Sequence, residues 1–320
     1  MSFGDILSTV GSGFVWFMTR YVGAVLVFYF FSLFDDYAGF AARVLVAYMG
    51  LAFCSWYGVL VSIALRLAGG DHWQSAQYYT GRSYTYVMRF FADFMFVVED
   101  PKNILGTTRP AILVGNHQTA IDVLMLGTMF PKYCSITAKR SLRSYPILGW
   151  FMGLSGAIFI DRTNRQDARA AMSSAANAIQ KLRQSVFLFP EGTRSGAQEP
   201  ILLPFKKGAF HLAVQAGAPV VPVVIANYSH LYSTSKFRFL PGRIPIKILD
   251  PIPTAGLTTE DVTALTERVQ ELMLKELVDL TERARAEPRF EVKSGVRTAV
   301  PVEASPSTDK AVSSGADASL

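Results

Sequence analysis

Residues 111–126, AILVGNHQTAIDVLML, pass from an apolar run through a short polar loop into a helical pattern. The apolar run 111–115 has the length and composition of a buried strand, and the apolar residues from Ile121 onward indicate the start of a helix. His117 therefore lies at a strand-to-helix turn, where a rigid frame commonly presents reactive groups. A strand followed directly by a helix favours an α/β fold.

The loop holds a base and a carboxylate five positions apart, His117 and Asp122. This spacing does not place them on one helix face, where residues i and i+4 are neighbours. With His117 in the turn and Asp122 in the first helical turn, the carboxylate can fold back onto one imidazole nitrogen. That hydrogen bond fixes the tautomer and leaves the other nitrogen free as a base. The alternative is a loop histidine near an acid that only favours the helix dipole.

A second apolar run, VFLF at 186–189, is followed by a proline and the loop 191–195, EGTRS. In open α/β sheets, ligands bind beyond the carboxyl ends of the strands. Gly192 allows a ligand to approach the backbone closely, and Arg194 offers a planar fork that matches phosphate. The alternative is a surface turn with an ion pair between Glu191 and Arg194.

Beyond residue 106, apolar runs alternate with helical patterns, which indicates an α/β domain. Helices are predicted over 165–184, over 206–215 and from residue 258 onward. After residue 285 the chain is rich in serine, alanine, proline and valine and loses its periodicity, so 289–320 are predicted to be a disordered tail. The predicted strands are 110–115, 133–138, 156–160, 186–190, 220–225 and 243–249.

Two apolar segments precede this domain. Residues 44–65 carry no charge and meet the ~20 residues that a helix needs to cross a bilayer. Residues 14–34 are rich in aromatic side chains but contain Arg20. They span the bilayer if Arg20 snorkels, and otherwise they lie re-entrant or in the interface. The start of the chain lacks the basic stretch of a cleaved signal peptide, and both segments are predicted to remain as an anchor, residues 1–70. The alternative for either segment is a buried core helix.

The charges that flank the two segments predict an orientation. Asp35 and Asp36 lie between the segments, whereas Arg66, Arg82 and Arg89 follow the second one. If both segments cross the membrane, the N-terminus and the domain share a side. The positive-inside rule then places the domain in the cytosol.

Composition narrows the classes of partner. The net charge of +6 suits phosphate groups and acidic lipid surfaces. Nucleic acid is disfavoured because the chain has no dense stripe of lysine and arginine with interleaved aromatics. Cys54 lies in an apolar run and Cys134 in a predicted strand, so no disulfide framework is expected. The four histidines stand apart from clustered acids and cysteines, which argues against a catalytic metal.

Four short blocks of this sequence match motifs of a known protein family and occur in the same order as in that family. Residues 117–122 match the motif H-x-x-x-x-D and residues 189–195 match F-P-E-G-T-R-S. Residues 156–162, GAIFIDR, match G-x-x-F-I-D-R, and residues 220–224, VVPVV, match an apolar V-P-V block. In addition, the segment 138–142, AKRSL, resembles A-K-x-x-L. Within residues 80–255 the sequence thus resembles the glycerolipid acyltransferases. The resemblance is strongest to the 1-acyl-sn-glycerol-3-phosphate acyltransferases and in particular to their fungal members.

The resemblance implies an α/β fold with a mixed sheet flanked by helices, here preceded by two membrane helices. It implies transfer of an acyl chain from acyl-coenzyme A to the sn-2 hydroxyl of 1-acyl-sn-glycerol-3-phosphate (lysophosphatidic acid), which gives phosphatidic acid without a cofactor or a metal. The expected catalytic domain is 71–288, between the anchor and the tail. Membrane lipids are expected partners, and the expected location is the endoplasmic reticulum with the catalytic domain facing the cytosol.

The same resemblance implies roles for individual residues. His117 is expected to take the proton from the acceptor hydroxyl, and Asp122 to orient His117. Lys139 is expected to contact the phosphate or the developing oxyanion, although a solvated lysine after a strand is the alternative. The implied substrate-binding residues are Lys139, Arg162, Glu191, Gly192, Thr193 and Arg194.

Three alternatives remain open at this point. The first is the same chemistry on glycerol-3-phosphate or another lysophospholipid, including transacylation without coenzyme A. The second is a lipid hydrolase, which is disfavoured because the sequence contains no G-x-S-x-G nucleophile elbow. The third is a lipid-binding scaffold on the same fold, and the intact His117, Asp122 and Glu191 argue against it.

Overall fold

The structure, a computed structural model, describes residues 2–161 and 165–286. Within these ranges the chain forms nine α-helices and nine strands, with two 3₁₀ turns. The helices are α1 (Phe3–Phe31), α2 (Asp36–Leu67), α3 (Ala76–Ala92), α4 (Ile104–Thr107), α5 (Asp122–Met129), α6 (Leu148–Leu154), α7 (Arg165–Leu182), α8 (Gly208–Ala216) and α9 (Val262–Ala286). The strands are β1 (Phe94–Glu99), β2 (Ile112–Gly115), β3 (Cys134–Lys139), β4 (Ile158–Ile160), β5 (Ser185–Leu188), β6 (Val220–Ile225), β7 (Tyr232–Ser233), β8 (Arg238–Phe239) and β9 (Gly242–Ile248). Arg162 and the predicted tail, 289–320, lie outside the described residues.

A mixed sheet forms the centre of the described chain, with seven strands in the order β1-β9-β6-β2-β5-β3-β4. The five strands from β6 to β4 run parallel, and β9 is antiparallel to β6 and parallel to β1. β2, β5 and β6 are buried along their whole length, as expected for parallel strands covered by helices on both faces. The predicted mixed sheet flanked by helices is confirmed.

The parallel arrangement places several loops together. Ile112 of β2 lies opposite Val186 of β5 and Val220 of β6, and β3 pairs with β5 on its other side. Because these strands share a direction, the loops that follow β2, β3, β4, β5 and β6 leave the sheet at one edge. The predicted site residues that the structure describes lie at or just beyond the ends of β2, β3 and β5, so they belong to this edge.

The six predicted strands occur within two residues of their expected bounds. The helices predicted near 165–184 and 206–215 correspond to α7 and α8, and the last predicted helix is α9. The sequence patterns did not predict α3, α4 and α6, the edge strand β1, or the small β7–β8 pair.

The two N-terminal helices are both long and apolar enough to cross a membrane. They form a hairpin in which the Tyr21 hydroxyl donates a hydrogen bond to the Leu45 carbonyl, 2.8 Å away. Only 6% of the apolar window of α1 is buried, against 33% for α2. α1 therefore presents almost its whole apolar surface outward. The exposed aromatic residues of α1 include Phe14, Trp16, Phe17, Phe30 and Phe31.

α2 differs from α1 because one of its faces packs on the rest of the fold. The buried face has mainly small residues at four-residue spacing, and a Cβ atom on Gly50 would lie 2.8 Å from Val87 of α3. The absence of a side chain at Gly50 thus lets α3 lie close against α2. The buried positions on this face are Ala38, Ala42, Val46, Gly50, Cys54, Gly58 and Ser62.

α3 links this hairpin to the sheet domain. It crosses α5 at a pair of glycines, where a Cβ atom on Gly81 would lie 2.8 Å from the Cα of Gly127. Arg82 closes the crossing, since its Nη1 donates to the Gly127 carbonyl at 2.8 Å and also to the Thr128 carbonyl. The position of α5 is therefore fixed by α3, and α3 is fixed by α2.

We expect the full-length protein to stay in the membrane fraction when membranes are washed with alkaline carbonate or with concentrated salt. The exposed apolar surface of α1 gives an attachment that salt does not weaken. A purely electrostatic attachment would be screened, because the Debye length falls to about 3 Å at about 1 M salt. Fractionation and immunoblotting after each wash would check this. Recovery of the chain in the carbonate supernatant would show that neither helix is held in the bilayer core.

Candidate active site

His117 lies in the loop between β2 and α5, and Asp122 is the first residue of α5. The imidazole Nδ1 is 2.7 Å from the Asp122 Oδ2. The predicted return of the carboxylate onto the imidazole is therefore present in the structure. The Asp122 side chain is 1% exposed and that of His117 is 18% exposed, so a substrate can reach the histidine but not the aspartate.

The Asp122 carboxylate accepts hydrogen bonds from three further donors. Its Oδ2 also accepts from the backbone N–H groups of Gln118 at 2.7 Å and Thr119 at 3.0 Å. Its Oδ1 accepts from the Tyr228 hydroxyl at 2.5 Å. An ionised carboxylate has no proton to donate, so the proton between the two side chains resides on the His117 Nδ1. The His117 Nε2 then carries a lone pair and can act as a base.

The residues on either side of His117 attach its loop to the end of β6. Asn116 pairs with Ile225 like a strand neighbour, because its Oδ1 accepts from the Ile225 N–H at 2.9 Å and its Nδ2 donates to the Ile225 carbonyl at 3.0 Å. Gln118 donates from Nε2 to the Ala226 carbonyl at 3.0 Å and to the Ile225 carbonyl at 3.2 Å. Both neighbours thus fix the backbone at His117.

Glu191 fixes the same backbone by accepting the N–H of His117. Its Oε1 accepts the His117 N–H at 2.7 Å, and its Oε2 accepts the Leu203 N–H at 3.0 Å. The residue is 2% exposed, and this burial raises the pKa of its carboxyl against the opposing effect of the two hydrogen bonds. Predicted as a substrate-binding residue, Glu191 therefore uses both of its oxygens within the loops of the protein.

The two sequence motifs form one unit. The Ser195 N–H donates to the His117 carbonyl at 2.9 Å, and the Gly196 N–H donates to the Gln118 carbonyl at 3.0 Å. The His117 ring stacks on Phe189, with 3.9 Å between ring centroids and 15° between planes. The imidazole is thus held by a ring face, a carboxylate and its own backbone, which leaves little rotational freedom.

The predicted anion-binding residues lie at the rim of the same sheet edge. Thr193 and Arg194 are exposed in the loop after β5, and Lys139 is exposed at the end of β3. Gly192 has a φ of +71°, and a Cβ atom there would lie 2.9 Å from the Nζ of Lys206. Glycine is favoured at this position by the left-handed conformation, and the side chain of Lys206 lies over it.

Several residues of the site were missed by the sequence analysis. Asn116 precedes the first motif and Gln118 lies within it, but neither was given a role, and no role was predicted for Lys206 or Tyr228. Tyr228 follows β6 and lies 106 positions from its partner Asp122, so no local pattern marks it. In the part of the chain that the structure describes, no group of three or more histidine, cysteine or acidic side chains could hold a metal ion.

This arrangement can supply a general base, His117, at the sheet edge that also exposes the cationic side chains of Arg194 and Lys139. His117 can remove a proton from a hydroxyl group, and the buried carboxylate of Asp122 can stabilise the imidazolium that forms. The rim cations can hold an anionic group of the same substrate. A nucleophilic hydroxyl on a phosphate-bearing molecule fits both features.

Sequence comparisons agree with this chemistry. The profile of the family described as Acyltransferase matches residues 96–226. An uncharacterized acyltransferase of Schizosaccharomyces pombe is 41% identical over 265 residues, which cover 83% of this chain and 94% of that protein. The 1-acyl-sn-glycerol-3-phosphate acyltransferase of Saccharomyces cerevisiae is 40% identical over 238 residues, which cover 74% of this chain and 77% of that protein.

A solved structure agrees as well. The crystal structure of the 1-acyl-sn-glycerophosphate (LPA) acyltransferase PlsC from Thermotoga maritima matches with a TM-score of 0.57 and 26% sequence identity. The match covers 82% of this chain and 97% of the bacterial one. The base, the carboxylate and the glycine–arginine loop thus stand on the fold of a lipid acyltransferase. The chain belongs to the acyltransferase family, and the predicted resemblance to the fungal 1-acyl-sn-glycerol-3-phosphate acyltransferases is confirmed.

We expect Glu191→Gln to lower kcat by about 10-fold or more, with little change in the KM of the acceptor. The amide has one accepting oxygen, so a backbone N–H of His117 or Leu203 loses its partner, which costs about 1–3 kcal/mol in a buried site. Steady-state acyl transfer would measure both constants. Glu199→Gln is the control, because Glu199 is an exposed acid paired with Arg285 at 3.2 Å. An unchanged kcat with a raised acceptor KM would instead assign Glu191 to substrate binding.

Proposed function

We propose that this protein transfers an acyl chain from acyl-coenzyme A to the sn-2 hydroxyl of 1-acyl-sn-glycerol-3-phosphate, giving phosphatidic acid. The observation that carries the proposal is the 2.7 Å hydrogen bond between His117 and the buried Asp122, beside a loop that exposes Arg194. The names of the relatives from Saccharomyces cerevisiae and Thermotoga maritima support this acceptor.

The reaction uses His117 as a general base. Its Nε2 takes the proton of the acceptor hydroxyl while the hydroxyl oxygen attacks the thioester carbonyl carbon. A carbon–oxygen bond forms, the carbon–sulfur bond breaks, and the leaving thiolate of coenzyme A takes up the proton from the imidazolium. Asp122 stabilises the imidazolium between these two steps. General-base catalysis of this kind contributes about 100- to 10,000-fold, and the acceptor oxygen itself is the nucleophile, so no acyl-enzyme is required.

Binding of the phosphate group orients the acceptor. Arg194 supplies a planar fork for two phosphate oxygens, and Lys139 and Lys206 add positive charge at the same edge of the sheet. Arg162, which lies outside the described residues, joins this group on the strength of its motif. Holding the two reactants in register is worth about 7–11 kcal/mol of the barrier in well-oriented reactions.

The N-terminal hairpin serves the supply of lipid substrates. Both substrates carry acyl chains, which partition into a bilayer, and α1 and the outer face of α2 offer apolar surface to the same bilayer. The acids at the turn into α2, Asp35 and Asp36, and the arginines beyond that helix support a catalytic domain on the cytosolic side. The endoplasmic reticulum is carried over from the resemblance to this family. Access from the cytosol suits a soluble head group such as coenzyme A.

We expect His117→Ala and Asp122→Asn each to lower turnover by about 100-fold or more while the protein stays folded. The first change removes the base. The second change replaces the carboxylate of Asp122 by a neutral amide, so that the histidine loses its charged partner. His211→Ala is the control, because His211 is an exposed histidine on α8.

The assay for these variants would compare 1-acyl-sn-glycerol-3-phosphate, glycerol-3-phosphate and other lysophospholipids as acceptors, with acyl-coenzyme A as donor. Near-normal turnover of His117→Ala would refute the general-base role. Preference of the unmodified enzyme for an acceptor other than 1-acyl-sn-glycerol-3-phosphate would overturn the substrate assignment and leave the chemistry standing.

We expect Arg194→Ala to raise the KM of the phosphate-bearing acceptor, and Arg194→Lys to recover only part of the loss. A lysine restores the charge but cannot form two parallel hydrogen bonds to phosphate. The KM values of donor and acceptor would be measured separately. Arg268→Ala, which removes an exposed arginine from α9, is the charge-matched control. A defect confined to acyl-coenzyme A would assign Arg194 to the donor.

A further inference from the structure

Tyr228 lies directly behind the catalytic dyad, the pair His117 and Asp122. It follows β6 and is fully buried, with 0% of its surface exposed. Its ring packs edge-on against Phe96 of β1, with 5.7 Å between centroids. Its hydroxyl is 2.5 Å from the Asp122 Oδ1 and 2.7 Å from the Thr119 Oγ1. Large aromatic packing thus fixes a single polar atom against the far side of the catalytic carboxylate.

The direction of each hydrogen bond at this hydroxyl follows from counting protons. A tyrosine hydroxyl has one proton, and an ionised carboxylate only accepts. The Tyr228 proton therefore points at Asp122, and the Thr119 hydroxyl must donate to the Tyr228 oxygen. Thr119 in turn accepts the Ile121 N–H at its Oγ1, 3.1 Å away. A one-way chain results, from the Ile121 N–H through two hydroxyls to the carboxylate.

We propose that Tyr228 is a positioning residue of the dyad, whose hydroxyl, polarised by Thr119, holds Asp122 and sets the pH range in which His117 acts as a base. The inference rests on the proposed function, because it names a further determinant of the same site. Hydrogen bonds in a chain strengthen one another in a medium of low dielectric constant. The threonine therefore makes the tyrosine a better donor than it would be alone.

The sign of the effect follows from how the carboxylate shares its charge. Four donors draw on the negative charge of Asp122: the His117 ring, two backbone N–H groups and Tyr228. Each donor other than the His117 ring leaves less of this negative charge to attract the imidazolium. Removal of the Tyr228 hydroxyl thus strengthens the hold of Asp122 on protonated His117. The acidic limb of the kcat/KM profile then moves to higher pH, because the base is freed of its proton later.

Among the residues that the structure describes, three other titratable or charged side chains lie around the dyad, and a substitution at Tyr228 removes none of them. Glu191 faces His117 from the loop after β5, where it accepts the His117 N–H. Tyr232 faces Tyr228, and Arg194 lies near enough to Tyr232 to act on it. Burial, and then the charge of Asp122, raise the pKa of Tyr228 well above its ordinary value. Its hydroxyl therefore remains protonated and donates over the whole working range.

The central experiment is the Tyr228→Phe variant of the full-length protein, which deletes one oxygen and keeps the ring against Phe96. We expect kcat to fall by about 2- to 10-fold, as the loss of one hydrogen bond predicts. We expect the acidic limb of kcat/KM to move up by about 0.5–1 pH unit, with both KM values unchanged. Tyr84→Phe is the control: it deletes a buried tyrosine hydroxyl that donates to the Ala47 carbonyl at 3.2 Å, away from the dyad.

A second readout does not depend on turnover. Diethyl pyrocarbonate modifies neutral imidazole, so the rate at which the His117 peptide is modified, followed by mass spectrometry against pH, reports the protonation of His117 directly. His211, which is exposed on α8, serves as the internal reference. If the protein fails to acylate 1-acyl-sn-glycerol-3-phosphate but the His117 titration still moves up in Tyr228→Phe, the proposed substrate is wrong and the role of Tyr228 stands.

The outcomes separate a positioning role from a merely structural one. A lower melting temperature of Tyr228→Phe with unchanged pH profiles of both activity and modification would overturn the proposal, and so would a shift to lower pH. If Tyr228→Phe does not fold, Thr119→Val decides. That variant removes the donor to the Tyr228 oxygen, and we expect a smaller shift in the same upward direction. No shift in a folded Thr119→Val protein would then refute the inference.

Discussion

The burial of the Asp122 carboxylate constrains the whole site. A charge that is 1% exposed is stable only where donors replace the lost water. Two of its donors come from the loop after β2, one from the His117 ring and one from Tyr228 beyond β6. These segments can meet only because β2 and β6 are neighbours, with Gly115 opposite Val223. The order of strands in the sheet therefore determines which donors surround Asp122 and, through Asp122, how the His117 ring is held.

A second buried carboxylate, Glu191, completes the support of His117. Asp122 holds the ring and Glu191 holds the backbone N–H of the same residue. Burial is the main cause that raises the pKa of the Glu191 carboxyl, and the charge of Asp122 adds a smaller contribution in the same direction. Cations at the rim, among them Arg194 and Lys139, face outward from this negative interior. Under the proposed function, an anionic substrate held by these cations would present its hydroxyl to His117, and the two buried carboxylates would lie behind that histidine.

Local sequence patterns were enough to predict the sheet strands near the site and the return of Asp122 onto His117. Runs such as 220–225 are apolar, short and bounded by turn residues, so their periodicity is informative. The edge strand β1 was missed because it follows α3 through a single left-handed residue, Asp93 with φ of +48°, without the glycine or proline that usually marks a boundary. Tyr228 was missed for another reason. Its role depends on a contact 106 positions away, and contacts of that kind exist only after the chain has folded.

The same distinction applies to the residues that the motifs did contain. Glu191 belongs to a recognisable string, yet the string gives no sign that both its oxygens bind backbone N–H groups. The spacing of His117 and Asp122 is informative because the partners are joined by a short loop with few conformations. Spacing carries no such information for Glu191 and His117, which are brought together by β2 and β5 lying side by side.

The glycine crossing between α3 and α5 fixes the distance between these two helices. At Gly81 and Gly127 two main chains touch with no side chain between them, so no rotamer change there can absorb a displacement. Asp122 begins α5, and α3 packs along α2, the second helix of the apolar hairpin. The position of Asp122 relative to the hairpin therefore depends on a direct contact between two helix backbones, which a side chain at either glycine would push apart.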